Sequence, residues 1–295
     1  MMTRVADGVR RITAPNGGPM TYTGTQSYLI GDGGDLVLID PGPELAEHRA
    51  AIEGALATGE QIAAILVTHA HLDHSPLARS LSADLGVPVH AYGPAGAGRS
   101  DQMQALADSG AHLGGGEGVD TAFAPDVMLA DGELFTMGGT RLRVLHTPGH
   151  MSDHLCFALE GSDLLFSGDH VMGWATTLVS PPDGDLTAFM ASLQKVQGQG
   201  FARFLPGHGA PVEDPDTLVA RQIAHRRGRE VQILDALQAR PRRIDQIVPE
   251  IYADVNPALH PAAARNVLAH LLDLVARGLV TTNEPLRADG VFERA

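Results

Sequence analysis

A single cysteine, Cys156, excludes an internal disulfide framework and fits a reducing compartment; its setting in LCFALE marks it as a core residue rather than a nucleophile. Aromatic residues fill only 4% of the 295 positions, so the core must be built from Ala, Val, Leu and Ile, and few stacking platforms remain for a nucleic-acid strand. Lysine occurs once, at Lys195. No apolar run approaches the roughly 20 residues of a membrane span. The opening MMTRVADGVRRITAP lacks the apolar stretch of a secretory leader. The expectation is a cytoplasmic protein with no membrane partner.

What is abundant is acid, and it is unevenly placed. The net charge is -14, and residues 1–215 hold 10 basic against 25 acidic residues, whereas residues 216–295 hold 11 against 10. An acidic body repels nucleic acid at long range unless a local basic face or bound cations reverse the field. The texture changes at the same place, which divides the chain into expected domains at 1–215 and 216–295.

The first part alternates strand and helix signals. SYLIG (27–31) and DLVLID (35–40) flank Asp32-Gly33-Gly34, a hairpin signal. A helical stretch follows at 44–57, then the strand AAILVTHA (63–70), a helix over 76–85 ended by Gly86, and the strand VPVHAY (87–92). Residues 93–125 lack periodicity and contain Gly114-Gly115-Gly116, which reads as a loop. Further strands are expected at 142–147, 155–160 and 163–169. Two strand-rich halves with flanking helices imply two sheets covered by helices. Beyond Pro215, helical patterns at 216–239, 243–252 and 261–283 and a closing hairpin outline a winged helix.

The chemistry lies in Thr68-His69-Ala70-His71-Leu72-Asp73-His74, directly after the strand AAILV. Imidazole nitrogen and carboxylate oxygen are the ligands that zinc, iron and manganese accept. One cluster cannot fill two metal shells, and further candidates follow other apolar strands: His150 in TPGH, Asp169 in SGD and His208 in PGHG. Small residues in each turn let backbone crowd the site. Taken singly, a histidine is more often an ordinary core or surface residue, and His48, His90, His112, His225, His260 and His270 are read so. His146, His154 and His170 each adjoin a ligand motif and are candidates to sit behind the ligands, with pocket lining as the alternative.

The set His69, His71, Asp73, His74, His150, Asp169 and His208 resembles the signature of the metallo-β-lactamase superfamily over about residues 20–212. The resemblance implies an α/β fold, a four-layer αβ/βα sandwich with a dinuclear, usually zinc, site at one edge of the sheets. By the family pattern His69, His71 and His150 bind one metal, Asp73, His74 and His208 the other, and Asp169 bridges them. Asp40, in IDPG, matches the buried aspartate that braces the metal-binding loops. A narrower likeness, over Gly168–Thr177, Pro182–Asp185 and His225–Leu234, is to β-lactamase-like proteins with a C-terminal winged helix, a subfamily that includes a mitochondrial endoribonuclease. Ser75-Pro76-Leu77 departs from the Ser-Gly-Gly of many relatives, but proline suits a first helical turn.

Two divalent cations, zinc first and iron or manganese as alternatives, would activate a bridging hydroxide near neutral pH, with Asp73 or Asp169 holding it or moving its proton. A small ester, thioester, lactone or amide is the favoured substrate. Single-stranded RNA ranks second: Arg226, Arg227, Arg229, Arg242 and Arg243 are candidate phosphate contacts, against the plainer reading of a solvated helical face. Met172 and Trp174 are candidates for an apolar pocket wall. A non-catalytic metal or ligand sensor read out by the winged helix is the alternative of another class, and a homodimer through that domain is a further option.

Overall fold

Strands alternate apolar residues between their two faces, and here both faces of both sheets are covered. The computed structural model describes residues 2–109, 118–282 and 289–295. The first sheet takes seven strands in chain order: β1 (Met2–Ala6), β2 (Val9–Thr13), β3 (Gln26–Ile30), β4 (Asp35–Ile39), β5 (Gln61–Leu66), β6 (Val89–Ala91) and β7 (Val127–Met128). β1 to β4 pair antiparallel, and β4 to β7 run parallel. Parallel neighbours need crossovers, which α1 (Ala46–Glu53), α2 (Pro76–Leu85) and α3 (Asp101–Asp108) lie within. The second sheet holds β8 (Leu134–Met137), β9 (Thr140–His146), β10 (Leu155–Leu159), β11 (Leu164–Gly168) and β12 (Arg203–Pro206), and α4 (Leu186–Val196) crosses between its parallel pair β11 and β12.

Residues on alternate positions separate into layers. Tyr28, Val37 and Ile39 meet Val144, Phe157 and Phe166 between the sheets. Their neighbours Leu29, Leu36 and Leu38 face outward under Ile52 of α1 and Leu77 and Leu81 of α2. On the far side Cys156, Ala158 and Leu165 lie under Phe189 and Leu193 of α4. The result is helix, sheet, sheet, helix.

The C-terminal segment forms α5 (Pro215–Ala236), α6 (Ile244–Ile251), α7 (His260–Ala276) and the antiparallel pair β13 (Val280–Thr282) and β14 (Phe292–Arg294). Its core joins Ile233 of α5, Ile247 of α6, Leu268 and Leu271 of α7 and Phe292 of β14. α5 is shared, because Val219 and Ile223 pack in the layer beneath α4. Among the described residues, no helix is long and apolar enough to cross a membrane.

Several elements differ from the sequence reading. β1, β2, β8 and α3 carry too few alternating or periodic apolar residues to announce themselves, whereas α4 carries a periodic buried stripe, Leu186, Phe189, Leu193 and Val196, that the sequence reading passed over. α3 lies inside the stretch read as loop: Ser100 caps it by accepting from the Met103 N–H, and only Met103 and Leu106 are buried. Gly114-Gly115-Gly116 and His112 lie outside the described residues. Pro76 does open α2 at its first turn, and Gly86 closes it with φ 68°.

Candidate metal centre

β5, β9, β11 and β12 all end at one edge of the sandwich, and the turns beyond them bring together the seven side chains singled out above. None of His69, His71, Asp73, His74, His150, Asp169 or His208 is more than 7% exposed. They form overlapping trios. His69 Nε2 lies 2.9 Å from His71 Nδ1, which lies 3.1 Å from His150 Nε2. His74 Nε2 and His208 Nε2 are 3.3 Å apart and lie 3.3 and 3.1 Å from Asp73 Oδ2. Asp169 stands between: its Oδ1 is 3.5 Å from His74 Nε2, and its Oδ2 is 3.2 Å from His208 Nε2 and 3.8 Å from His150 Nε2.

The tautomers follow from the groups behind the rings. Asp40 Oδ1 accepts the Thr68 N–H at 2.7 Å, and its Oδ2 accepts the Thr68 hydroxyl at 2.7 Å and His74 Nδ1–H at 2.9 Å. With its proton given to Asp40, the Thr68 oxygen accepts His69 Nδ1–H at 2.9 Å. His150 Nδ1–H donates to the Leu178 carbonyl at 2.8 Å and His208 Nδ1–H to the Gly24 carbonyl at 3.3 Å. Each of these four rings therefore turns Nε2 toward the common centre. His71 Nδ1 can donate to only one of its two neighbouring Nε2 atoms, so a nitrogen lone pair faces a nitrogen. Among the described residues, none donates a hydrogen bond to Asp73 Oδ1 or to either Asp169 oxygen, although all three are buried. Converging lone pairs and unsatisfied carboxylates are repulsive among themselves and suit a cation. The groupings His69–His71–His150, His69–His74–Asp169 and Asp73–His74–His208 can each hold a metal ion.

Charge divides the site in two. Burial, with the neighbouring imidazoles, drives His69 well below its usual range, and burial pushes His71 down to about 3. Burial also opposes charge on His74 and His208, but the carboxylates override it: Asp73 and Asp169 hold His74 well above its usual value, and Asp169 lifts His208 to about 10. One end is a neutral imidazole trio, and the other calls for positive charge.

Gly207 is required by this crowding. A Cβ there would stand 2.2 Å from Asp169 Oδ1 and 2.7 Å from His74 Cε1. Gly149, with φ 140°, likewise packs against Phe189, whose Cα would lie 2.3 Å from an added Cβ.

Of the flanking histidines, His154 Nε2 accepts the Asp169 N–H at 3.1 Å and so holds that residue's backbone. His170 is buried edge-on to Phe189, 5.2 Å between centroids, and hydrogen-bonds to none of the seven. His146 stacks on Tyr92 at 3.8 Å. Burial pushes the Cys156 thiol up to about 12, unsuited to nucleophilic attack. Trp174 stacks on Tyr22, centroids 5.0 Å apart, and both touch Gly209, the residue after His208; Met172 is buried. Of the five candidate arginines, Arg227 is exposed and Arg243 lies 3.5 Å from Asp245, while the other three are engaged within the chain. Arg226 is buried against the Thr177 carbonyl and Asn266, Arg229 lies over Tyr252, and Arg242 pairs with Glu250.

Three neighbours escape sequence reasoning. The Thr25 hydroxyl donates to Asp73 Oδ2 at 2.8 Å. The Thr177 hydroxyl donates to the Asp169 carbonyl at 2.8 Å. Asp153, pushed by burial up to about 7, accepts the Ala70 N–H at 3.1 Å between His69 and His71. Hydroxyls and single carboxylates carry no spacing signature; only the run SDH, ending in His154, hinted at Asp153.

Comparison with known proteins agrees with this architecture. The Metallo-beta-lactamase superfamily profile matches residues 20–208, and that of the Beta-lactamase associated winged helix domain matches residues 244–285. The Beta-lactamase-like protein 2 homolog of Drosophila melanogaster is 34% identical over 287 residues, 94% of this chain and 91% of that protein. An Atrochrysone carboxyl ACP thioesterase of Aspergillus fumigatus is 33% identical over 78% of this chain and 65% of its own length. A Beta-lactamase domain protein from Burkholderia ambifaria superposes with a TM-score of 0.80 at 24% identity, covering 100% of this chain and 93% of that one, a likeness of fold. The chain belongs to the metallo-β-lactamase superfamily of hydrolases and carries that superfamily's associated winged helix.

Proposed function

We propose that His69, His71 and His150 hold one divalent metal ion, that Asp73, His74 and His208 hold a second with Asp169 between them, and that the chain hydrolyses a small ester, thioester, lactone or amide. The observation that carries this reading is the buried meeting of two ligand trios at one carboxylate. Cations held there supply the Lewis acidity that brings the pKa of water near neutrality. Zinc suits the mixed nitrogen and oxygen donors, as do iron and manganese.

The chain's own groups do the rest. Asp40 keeps the Nε2 lone pairs of His69 and His74 aimed inward. Thr25 donates to Asp73 Oδ2, the oxygen that faces His74 and His208, and Asp73 or Asp169 orients the attacking water or accepts its proton. The half-exposed Tyr22 and its partner Trp174 offer an apolar face beside His208 for an acyl group. A thioester is favoured within the class because a thioesterase is among the relatives that align over most of the chain. We also divide the chain into a catalytic unit, 1–215, and a supporting unit, 216–295, with α5 shared between them.

The test is a parallel screen of metal-loaded protein against thioesters, esters, lactones, a β-lactam and single-stranded RNA, with Asp169→Ala as control. Thioester or ester turnover should vanish on chelation, return with divalent metal and be absent from the variant. Turnover undiminished after thorough chelation refutes the metal reading. RNA cleavage lost in Asp169→Ala, without acyl hydrolysis, refutes the small-substrate reading.

A further inference from the structure

The C-terminal helices reach the candidate metal centre through one buried cation. Arg226 of α5 is 5% exposed, yet among the described residues no carboxylate pairs with it. Its Nη2–H donates to the Thr177 carbonyl, its Nη1–H donates to Asn266 Oδ1 of α7 at 3.0 Å, and its guanidinium lies 5.3 Å from the Phe189 ring centroid. A guanidinium buried without a counter-charge is costly, and here neutral acceptors take its protons.

The first of these acceptors, Thr177, lies on the segment that follows Asp169, and the second, Asn266, also binds that segment. The Thr177 hydroxyl donates to the Asp169 carbonyl, and the next residue's carbonyl, that of Leu178, receives His150 Nδ1–H at 2.8 Å. The Val179 N–H donates to Asn266 Oδ1 at 3.4 Å, and Gln222, one turn before Arg226 on α5, donates from Nε2 to the Met172 carbonyl at 3.3 Å. Phe189, on which the guanidinium rests, is the residue packed against Gly149, next to His150. α5 and α7 thus grip the backbone from 172 to 179, and that backbone in turn orients His150 and carries Asp169.

We propose that Arg226 is a positioning residue for the metal centre, fixing through Thr177 and Leu178 the imidazole of His150 and the backbone of Asp169. The winged helix is on this account the back wall of the site, contributing structure to metal binding. The inference rests on the two-metal reading above. Outer groups that orient metal ligands are worth about 10–100-fold in affinity, and that is the loss expected when Arg226 is removed.

The experiment titrates zinc alone into the metal-free, full-length chain, in competition with a chromogenic chelator, for the wild type, Arg226→Gln, Arg226→Lys, Asn266→Ala and Arg229→Gln. Arg229 serves as the control on the same helix: its Nη1 donates to the Ile251 carbonyl at 2.6 Å and its guanidinium lies 3.9 Å from the Tyr252 ring centroid, tying α5 to α6. Arg226→Gln should lose about 10–100-fold in affinity for at least one of two zinc equivalents. Arg226→Lys should recover part of that, since an ammonium keeps the charge but lacks the planar fork. Arg229→Gln should bind as the wild type. A folded Arg226→Gln with wild-type affinity, or an equal loss in Arg229→Gln, overturns the positioning role. Should Arg226→Gln not fold, Asn266→Ala decides: a loss in the same direction supports the role, and unchanged affinity refutes it. A wild type that takes up no zinc refutes the two-metal reading itself.

Discussion

Asp40 lies in left-handed backbone with φ 49°, a conformation that aspartate and asparagine tolerate better than most side chains. Its carboxylate sets two imidazoles, His74 directly and His69 through Thr68. Asp40→Asn keeps the backbone preference but turns an amide donor toward groups that are themselves donors. Zinc affinity should therefore fall about 10–100-fold while far-UV circular dichroism stays unchanged; chelator competition measures it, and unaltered affinity would remove Asp40 from the bracing. At this scale the sequence was most legible where chemistry is concentrated. His69, His71, Asp73 and His74 crowd into one turn, and His150, Asp169 and His208 each follow an apolar strand through small residues. Thr25 was not legible, and Thr177 and Arg226 were marked only within the wider likeness and, for Arg226, as a candidate phosphate contact, because an ordinary hydroxyl or helix arginine finds its partners only when folding brings distant segments together.

Elements were legible chiefly where proline, glycine or alternating residues mark their ends. α2, α5 and the β3–β4 hairpin could be read almost to their ends, since proline, glycine and alternating apolar residues mark them. β2, with its central Arg10-Arg11, takes its place from the sheet it extends, whereas α4, capped by Asp185 and carrying Leu186, Phe189, Leu193 and Val196 on one face, held a signal that sequence reasoning passed over. Glycine gives an element-scale test. Gly228 lies exposed within α5 with nothing within 4 Å of an added Cβ, whereas Gly207 would thrust one against Asp169. Gly228→Ala should raise stability by about 0.5–1 kcal/mol, seen as a higher urea midpoint with unchanged turnover. Gly207→Ala should abolish turnover, and an active Gly207→Ala enzyme would contradict the crowding described.

At the scale of the whole molecule, acid should loosen the fold from two directions. Burial pushes His48 of α1 down to about 4, and burial with the nearby Arg226 and Arg229 pushes His270 of α7 down to about 3. Both folded values lie below the ordinary histidine value of 6.5. Their contribution to stability is therefore complete above that pH. It is lost as pH falls, since only the unfolded chain takes up protons, at about 1.4 kcal/mol per pH unit for each histidine. Urea midpoints of the metal-free chain should be lower at pH 5 than at pH 7.5, although Asp153, held up at about 7, works in the opposite sense over this window. His270→Gln should shrink the drop, and an undiminished drop in that variant would show that this ring is not held neutral. Because His270 belongs to the C-terminal core and His48 to the helix layer over the first sheet, both ends of the molecule should weaken together.

The stacked pair at the rim has a spectroscopic meaning. Trp174 is the only tryptophan in the sequence, and it lies against Tyr22 and Gly209, one residue from His208. Its emission reports from this one location, so the unmodified protein carries its own optical gauge of what enters or leaves the cleft.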